Sequence, residues 1–243
     1  MNDLRRFGAA FLIVLACGSV AACSDDDDGH RIAAAADGRE HAVLDVVSGA
    51  TTITVRAADI GDDLYRAATP DDSGYAPRMV NSDDRFDLHI EQRGPGGLNA
   101  VDVQLSDDVA WDLRFTGGVT QLRVDMGAGR LTTVDFAGGA SRIELTVPRP
   151  AAEHPVRMSG GVSQLLLHAP SDVPVRVRAG GGAGVVTVDG QEHRGVAAGS
   201  TFASAGWDAP NGDKAGLAST GRYDLDCTAG AGLIVVDRTP PNG

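Results

Sequence analysis

Gly117-Gly118-Val119-Thr120-Gln121-Leu122-Arg123-Val124 is followed 21 positions later by Gly138-Gly139-Ala140-Ser141-Arg142-Ile143-Glu144-Leu145, and 22 positions after that by Gly160-Gly161-Val162-Ser163-Gln164-Leu165-Leu166-Leu167. Each copy joins a glycine pair to a small hydroxyl residue and an alternating apolar run. A fourth, looser copy runs from Gly180 through Val188. A fixed period of this length marks a solenoid, in which one repeat supplies one rung and buries its apolar face only against the rungs above and below. The expected fold is therefore an all-β solenoid with rungs of about 21 residues.

The same grammar extends outward. Ser48-Gly49-Ala50-Thr51-Thr52-Ile53-Thr54-Val55 reads as an early rung, and Phe86 to Ile90, Val101 to Leu105 and Trp111 to Phe115 alternate as strands. Alternation at period two places Leu113, Phe115, Leu122, Val124, Val134, Phe136, Ile143, Leu145 and Val147 inside. Between Asp59 and Asn81 the pattern breaks, which predicts a surface excursion around Leu64 and Tyr65. Ala197 to Gly221, rich in Gly, Ser and Ala, reads as a long loop, and Leu233 to Val236 closes the fold. Nothing in the mature chain carries a helical period.

Composition narrows the function classes. The 243 residues are 42% hydrophobic and only 5% aromatic, so a core must come from Val, Leu, Ile and Ala. The formal net charge is −12, and Lys214 is the lone lysine. Clustered positive charge is missing, so nucleic acid is not an expected partner.

The N-terminus carries an address. Arg5 and Arg6 precede an uncharged stretch from Phe7 to Cys23 that ends in small residues, the layout of a secretory signal peptide. Val20-Ala21-Ala22-Cys23 resembles a bacterial lipobox, which implies lipidation of Cys23; Cys17, with Val14-Leu15-Ala16 before it, is a poorer second candidate because it lies within the apolar segment. The alternatives are an ordinary secreted protein and an uncleaved anchor, the latter short of the roughly 20 residues that span a bilayer. Ser24-Asp25-Asp26-Asp27-Asp28 then begins a solvated spacer without EF-hand spacing. The expected organisation is a signal peptide at 1–22, a lipidated N-terminus and acidic flexible tether at 23–40, one β-solenoid domain at 41–238 and a disordered tail at 239–243. With Cys17 removed and Cys23 acylated, Cys227 has no partner for an intrachain disulfide and reads as a small buried hydrophobe.

The order of a "VxSGATTITV" opening, a "DLYRA" segment, a "WDLRFTGG" strand, successive glycine-pair rungs and a closing "GAGLIVV" resembles the toastrack-type domains of surface adhesins and of LiaF-like envelope-stress proteins. The resemblance covers about residues 42 to 238. It implies a right-handed, mostly parallel, single-stranded β-helix-like solenoid without enzymatic activity, acting in contact or sensing outside the cell. LiaF-like proteins carry membrane helices where this chain has a lipobox, so their partner kinase is not carried over.

Candidate chemistry is sparse. Thr120, Ser141 and Ser163 would stack as a hydroxyl ladder beside the glycines and serve as turn supports. Asp125 and Asp135 are the carboxylates that could pair for glycoside chemistry, the alternative reading being a carbohydrate-active β-helix enzyme. His30, His41, His89, His154, His168 and His193 lack zinc spacing, no Gly-x-Ser-x-Gly elbow occurs, and no phosphate-cradling motif follows Gly180 to Gly184. Catalytic, cofactor and metal residues are accordingly expected to be none. Trp207 reads either as an exposed anchor or as a lid over a solenoid end. The expected function is that of a non-enzymatic lipoprotein on the outer face of the cell membrane, meeting an envelope protein or a surface glycan.

Overall fold

The computed structural model describes residues 29–208 and 221–239; Cys17, Cys23, the aspartate run and Lys214 lie outside the described residues. Among the described residues the first strand is β1 (Arg31–Ala35), followed by β2 (His41–Val46) and β3 (Ala50–Ala58), which form rung 1. After β4 (Asp63–Ala68) and β5 (Tyr75–Ser82), rung 2 is built from β6 (Arg85–Gln92) and β7 (Ala100–Ser106). Rung 3 is β8 (Ala110–Phe115) and β9 (Val119–Asp125), rung 4 is β10 (Arg130–Phe136) and β11 (Ala140–Thr146), and rung 5 is β12 (Glu153–Met158) and β13 (Val162–Pro170). Rung 6 is β14 (Val175–Ala179) and β15 (Ala183–Val188); β16 (Gln191–Val196) and β17 (Ser200–Ala203) follow, and rung 7 is β18 (Arg222–Cys227) and β19 (Ala231–Thr239). The first strand of every rung joins one sheet, B, and the second joins the other, A.

The sequence period is the register of the sheets. Val119, Ala140 and Val162 lie side by side on β9, β11 and β13, and Leu113, Val134 and Val156 do so on β8, β10 and β12. Alternation then fixes the faces, and like residues stack along the interior. Ile53, Leu122, Ile143, Leu165 and Ile234 form one buried row of sheet A. Val46, Phe115, Phe136, Met158 and Cys227 form one of sheet B, with Phe115 and Phe136 stacked at 5.3 Å between ring centroids. Each large aliphatic side chain so buried contributes about 1.5–3 kcal/mol.

The glycine pairs are explained by close approach rather than by unusual torsions. A Cβ on Gly117 would lie 2.3 Å from the carbonyl oxygen of Ser48, one on Gly138 would lie 2.2 Å from that of Gly117, and one on Gly160 would lie 2.3 Å from that of Gly138. The second glycine of each pair is different: Gly118, Gly139 and Gly161 would place a Cβ 3.6–3.9 Å from the nearest atom, an ordinary contact. Only the first glycine of the pair lets the corners stack.

Rung order departs from chain order at both ends. In space the rungs run 2-1-3-4-5-7-6, because β3 lies between β7 and β9 while β19 lies between β13 and β15, and sheet B repeats the exchange. The first and last rungs of the chain are thus internal. The outermost ones, 2 and 6, are each padded by antiparallel strands: β4 on β7 and β5 on β6 at one end, β16 on β15 and β17 on β14 at the other. The stretch expected to be a surface excursion therefore supplies end caps, with Leu64 fully buried and Tyr65 3% exposed. Part of the stretch read as a tether is also paired, since β1 adds to β4 in antiparallel fashion. At the opposite end the expected loop contains β17, and Asp189-Gly190, at φ 50° and 78°, turns β15 into β16 as a two-residue hairpin. β16 is exposed along almost its whole length and carries Glu192, His193 and Arg194, charges that discourage further strand addition at a sheet edge.

Candidate contact surface

The residues singled out in the sequence are dispersed. Thr120, Ser141 and Ser163 do occupy neighbouring positions on β9, β11 and β13, exposed at the strand starts. Asp125 ends β9 in sheet A, where its Oδ1 accepts the Gly127 N–H at 3.0 Å, whereas Asp135 sits on β10 in sheet B. They face away from different sheets and do not form a carboxylate pair. The histidines also have separate surroundings: His30 contacts Thr69, His41 contacts Asp112, His154 contacts the Thr132 carbonyl, and His168 lies between Asp237 and Glu144. Among the described residues no cluster of His, Cys, Asp and Glu is arranged to hold a metal ion.

Trp207 is 7% exposed. The guanidinium groups of Arg176 and Arg222 lie 4.4 and 4.5 Å from its ring centroids, on β14 and β18. It is a packed clamp beside the C-terminal end, not an exposed anchor. Arg176 and Arg178 also pair with Asp224. Burial opposes charge on Asp224, but the Arg176 hydrogen bonds and the positive charges of Arg176, Arg178 and Arg222 hold its carboxyl below the ordinary range. Cys227 is buried, and desolvation, with help from the neighbouring Asp226 charge, pushes its thiol up to about 12. Such a thiol is inert packing, as the sequence suggested.

The outer faces differ in kind. On sheet B one row alternates charge from rung 1 to rung 6, Asp45, Arg114, Asp135, Arg157, Asp226 and Arg178 being successive neighbours, while on rung 2 Asp87 sits beside Asp45 and Arg85 bonds both. Opposite charges side by side favour this register over a slipped one, at about 0.2–1 kcal/mol per pair. Asp45, at 2% exposed, is held further by Arg85 Nη2 at 2.6 Å and the Thr116 hydroxyl at 3.0 Å.

Sheet A carries polar residues over rungs 3 and 4, namely Gln121, Arg123, Arg142 and Glu144, with Arg123 and Glu144 paired at 3.0 Å. Over rungs 5, 7 and 6 four of the six positions in the same two rows become apolar, Leu166, Leu233, Val235 and Val185, while Gln164 on rung 5 and Thr187 on rung 6 stay polar. The four apolar residues are half-buried on the outward face, while their neighbours Leu165, Leu167, Ile234, Val236 and Val186 fill the core. The sequence held the signal. In a chain that otherwise alternates, Leu165-Leu166-Leu167, Val185-Val186 and Leu233-Ile234-Val235-Val236 are unbroken apolar runs, and an unbroken run makes both faces of a strand apolar. The patch is rimmed by Arg142, Glu144, His168, Asp237 and Arg194.

The comparisons with known proteins agree with this architecture. A crystal structure of a candidate cell adhesion protein from Clostridium sporogenes superposes with a TM-score of 0.62 at 16% identity, covering 86% of this chain and 98% of that one. That likeness shows the fold alone. A candidate adhesin from Bacteroides fragilis covers 85% of this chain and 97% of its own at 12% identity, but its TM-score of 0.27 carries no argument. No curated protein matches the chain. Residues 24–168 match the family described as the N-terminal domain of toast_rack, DUF2154, and the chain belongs to that family.

Proposed function

We propose that this chain is a non-enzymatic cell-envelope protein, held by a lipid on Cys23, whose solenoid binds another envelope protein through the outer face of sheet A. The observation that carries the reading is the apolar change in that face over rungs 5, 7 and 6, where Leu166, Leu233, Val235 and Val185 take four of six positions in two rows that are polar throughout rungs 3 and 4, with Gln164 and Thr187 at the patch corners. Apolar surface rimmed by charge is the composition of a protein contact, and it suits a protein better than a glycan, which needs hydrogen-bonding groups. The adhesion description of the solved Clostridium sporogenes structure supports a contact role, and the lipobox-like Val20-Ala21-Ala22-Cys23 supports the address. A lipid with two or more acyl chains would hold the protein stably, each buried methylene contributing about 0.8 kcal/mol.

Two substitutions test the two halves separately. Leu166→Glu combined with Val235→Glu should leave folding intact and abolish crosslinking to envelope proteins in whole cells; an unchanged crosslinking pattern would refute the contact face. Cys23→Ser should release the protein from the membrane fraction, and its retention there would refute the lipid anchor.

A further inference from the structure

The C-terminal end of the solenoid is assembled through its last rung. The strands of rung 6 pair with none of rungs 1 to 5: β14 pairs with β17 and β18, and β15 with β16 and β19. Side-chain links follow the same rule. Arg176 and Arg178 reach Asp224 on β18, and Asp189 receives Arg238 from β19 at 2.6 and 2.9 Å. Backbone links at the corners do too, with the Gly181 N–H donating to the Cys227 carbonyl and the Asp189 N–H to that of Val236. Rung 7 is held on its other side by β12 and β13, in register over six and eight paired positions.

We infer that the gap between rungs 5 and 6 is a strand-acceptor site for extended polypeptide, and that its resident occupant is the chain's own rung 7. The site takes two parallel strands at once, one per sheet. It selects alternating apolar residues, supplied here by Tyr223, Leu225 and Cys227 on β18 and by Ile234 and Val236 on β19, all fully buried. Because the strands within residues 175–203 pair with the other rungs only through this occupant, and are otherwise tied to them by the short link 171–174, they open and close together with residues 222–239 as one unit. Opening uncovers the parallel edges of β12 and β13, and edges of that kind accept an added strand. The inference does not depend on the contact face or the lipid.

Hydrogen exchange on the full chain tests it. Leu225→Ala should accelerate amide exchange across 175–203 and 222–239 by the same factor, about 30-fold or more, with rungs 1 to 4 unchanged. Arg238→Gln, a milder change that loosens the tie to Asp189, should do the same to a smaller extent. A labelled synthetic peptide of residues 221–239 should be taken up by the Leu225→Ala chain, and a scrambled peptide should not. The inference is overturned if 175–203 keeps its original exchange while 222–239 speeds up, if all rungs accelerate together, or if the matched peptide is not taken up.

Discussion

Rungs 3, 4 and 5 and the two ends of the solenoid obey different rules. In the middle, chain order and spatial order agree, rung 4 lying between rungs 3 and 5. At the ends they are crossed, with rung 1 tucked inside rung 2 and rung 7 inside rung 6. A simple solenoid leaves its first and last rungs with one neighbour each, and these must be capped. Here the first and last rungs have neighbours on both sides, and the outermost positions go to rungs 2 and 6, which carry antiparallel padding. The middle is built by repetition, whereas the ends are built by exchange.

The largest effect is expected in the middle. Leu145 is fully buried between Val124 and Leu167 in sheet A, so Leu145→Asp buries an unpaired charge and should abolish the cooperative thermal transition. A soluble variant with native circular dichroism would mean that the inner face is misassigned. Next comes the glycine contrast. Gly138→Ala forces a methyl against the Gly117 carbonyl and should cost about 1–3 kcal/mol or more, while Gly139→Ala should be nearly neutral; equal denaturation midpoints would remove the close-approach account. At the C-terminal end, Trp207→Ala removes two cation–π contacts of roughly 0.5–2 kcal/mol each. Its exchange effects should stay within 175–239 and spare rungs 3 to 5.

A smaller, pH-dependent effect separates the ends from the middle. Because Asp224 has a lowered folded-state pKa, its contribution is fully present above the ordinary carboxylate value of about 3.9 and is lost as pH falls through the lower folded value. Acid should therefore loosen rungs 6 and 7 before the middle rungs, and Arg176→Gln should flatten that pH dependence in exchange measurements. Acid loosening that begins uniformly would contradict it.

The middle was legible because its strands follow one another at a fixed period, so spacing alone gives the register of Val119, Ala140 and Val162. The crossed ends were not, since spacing identifies rungs without saying which rung each will neighbour. Thr54 has Asp102 on one side and Arg123 on the other, and nothing local to residues 50–58 records that. Two further signals were present and readable. Asp189-Gly190 is a hairpin turn by composition, and the unbroken apolar runs at Leu165, Val185 and Leu233 foretell an apolar outer face. The Asp–Arg row of sheet B was only partly readable: Arg114, Asp135 and Arg157 follow the period, but Asp45, Asp226 and Arg178 join them only once the exchanged order at both ends is known. Tyr65 was misplaced because a break in the solenoid period was read as exposure, when antiparallel end caps break the period and bury their residues equally well.

The exchanged order can be read by disulfide trapping at the N-terminal end. Thr54 and Arg123 are direct neighbours on β3 and β9, while Asp102 lies on the far side of β3. Adjacent strands bring such positions within the roughly 4.4–6.8 Å between Cα atoms that a disulfide requires. The fold described here predicts that Thr54→Cys with Arg123→Cys forms a crosslink under mild oxidation and that Asp102→Cys with Arg123→Cys does not. Crosslinking of the second pair and not the first would show rungs stacked in chain order and would contradict it.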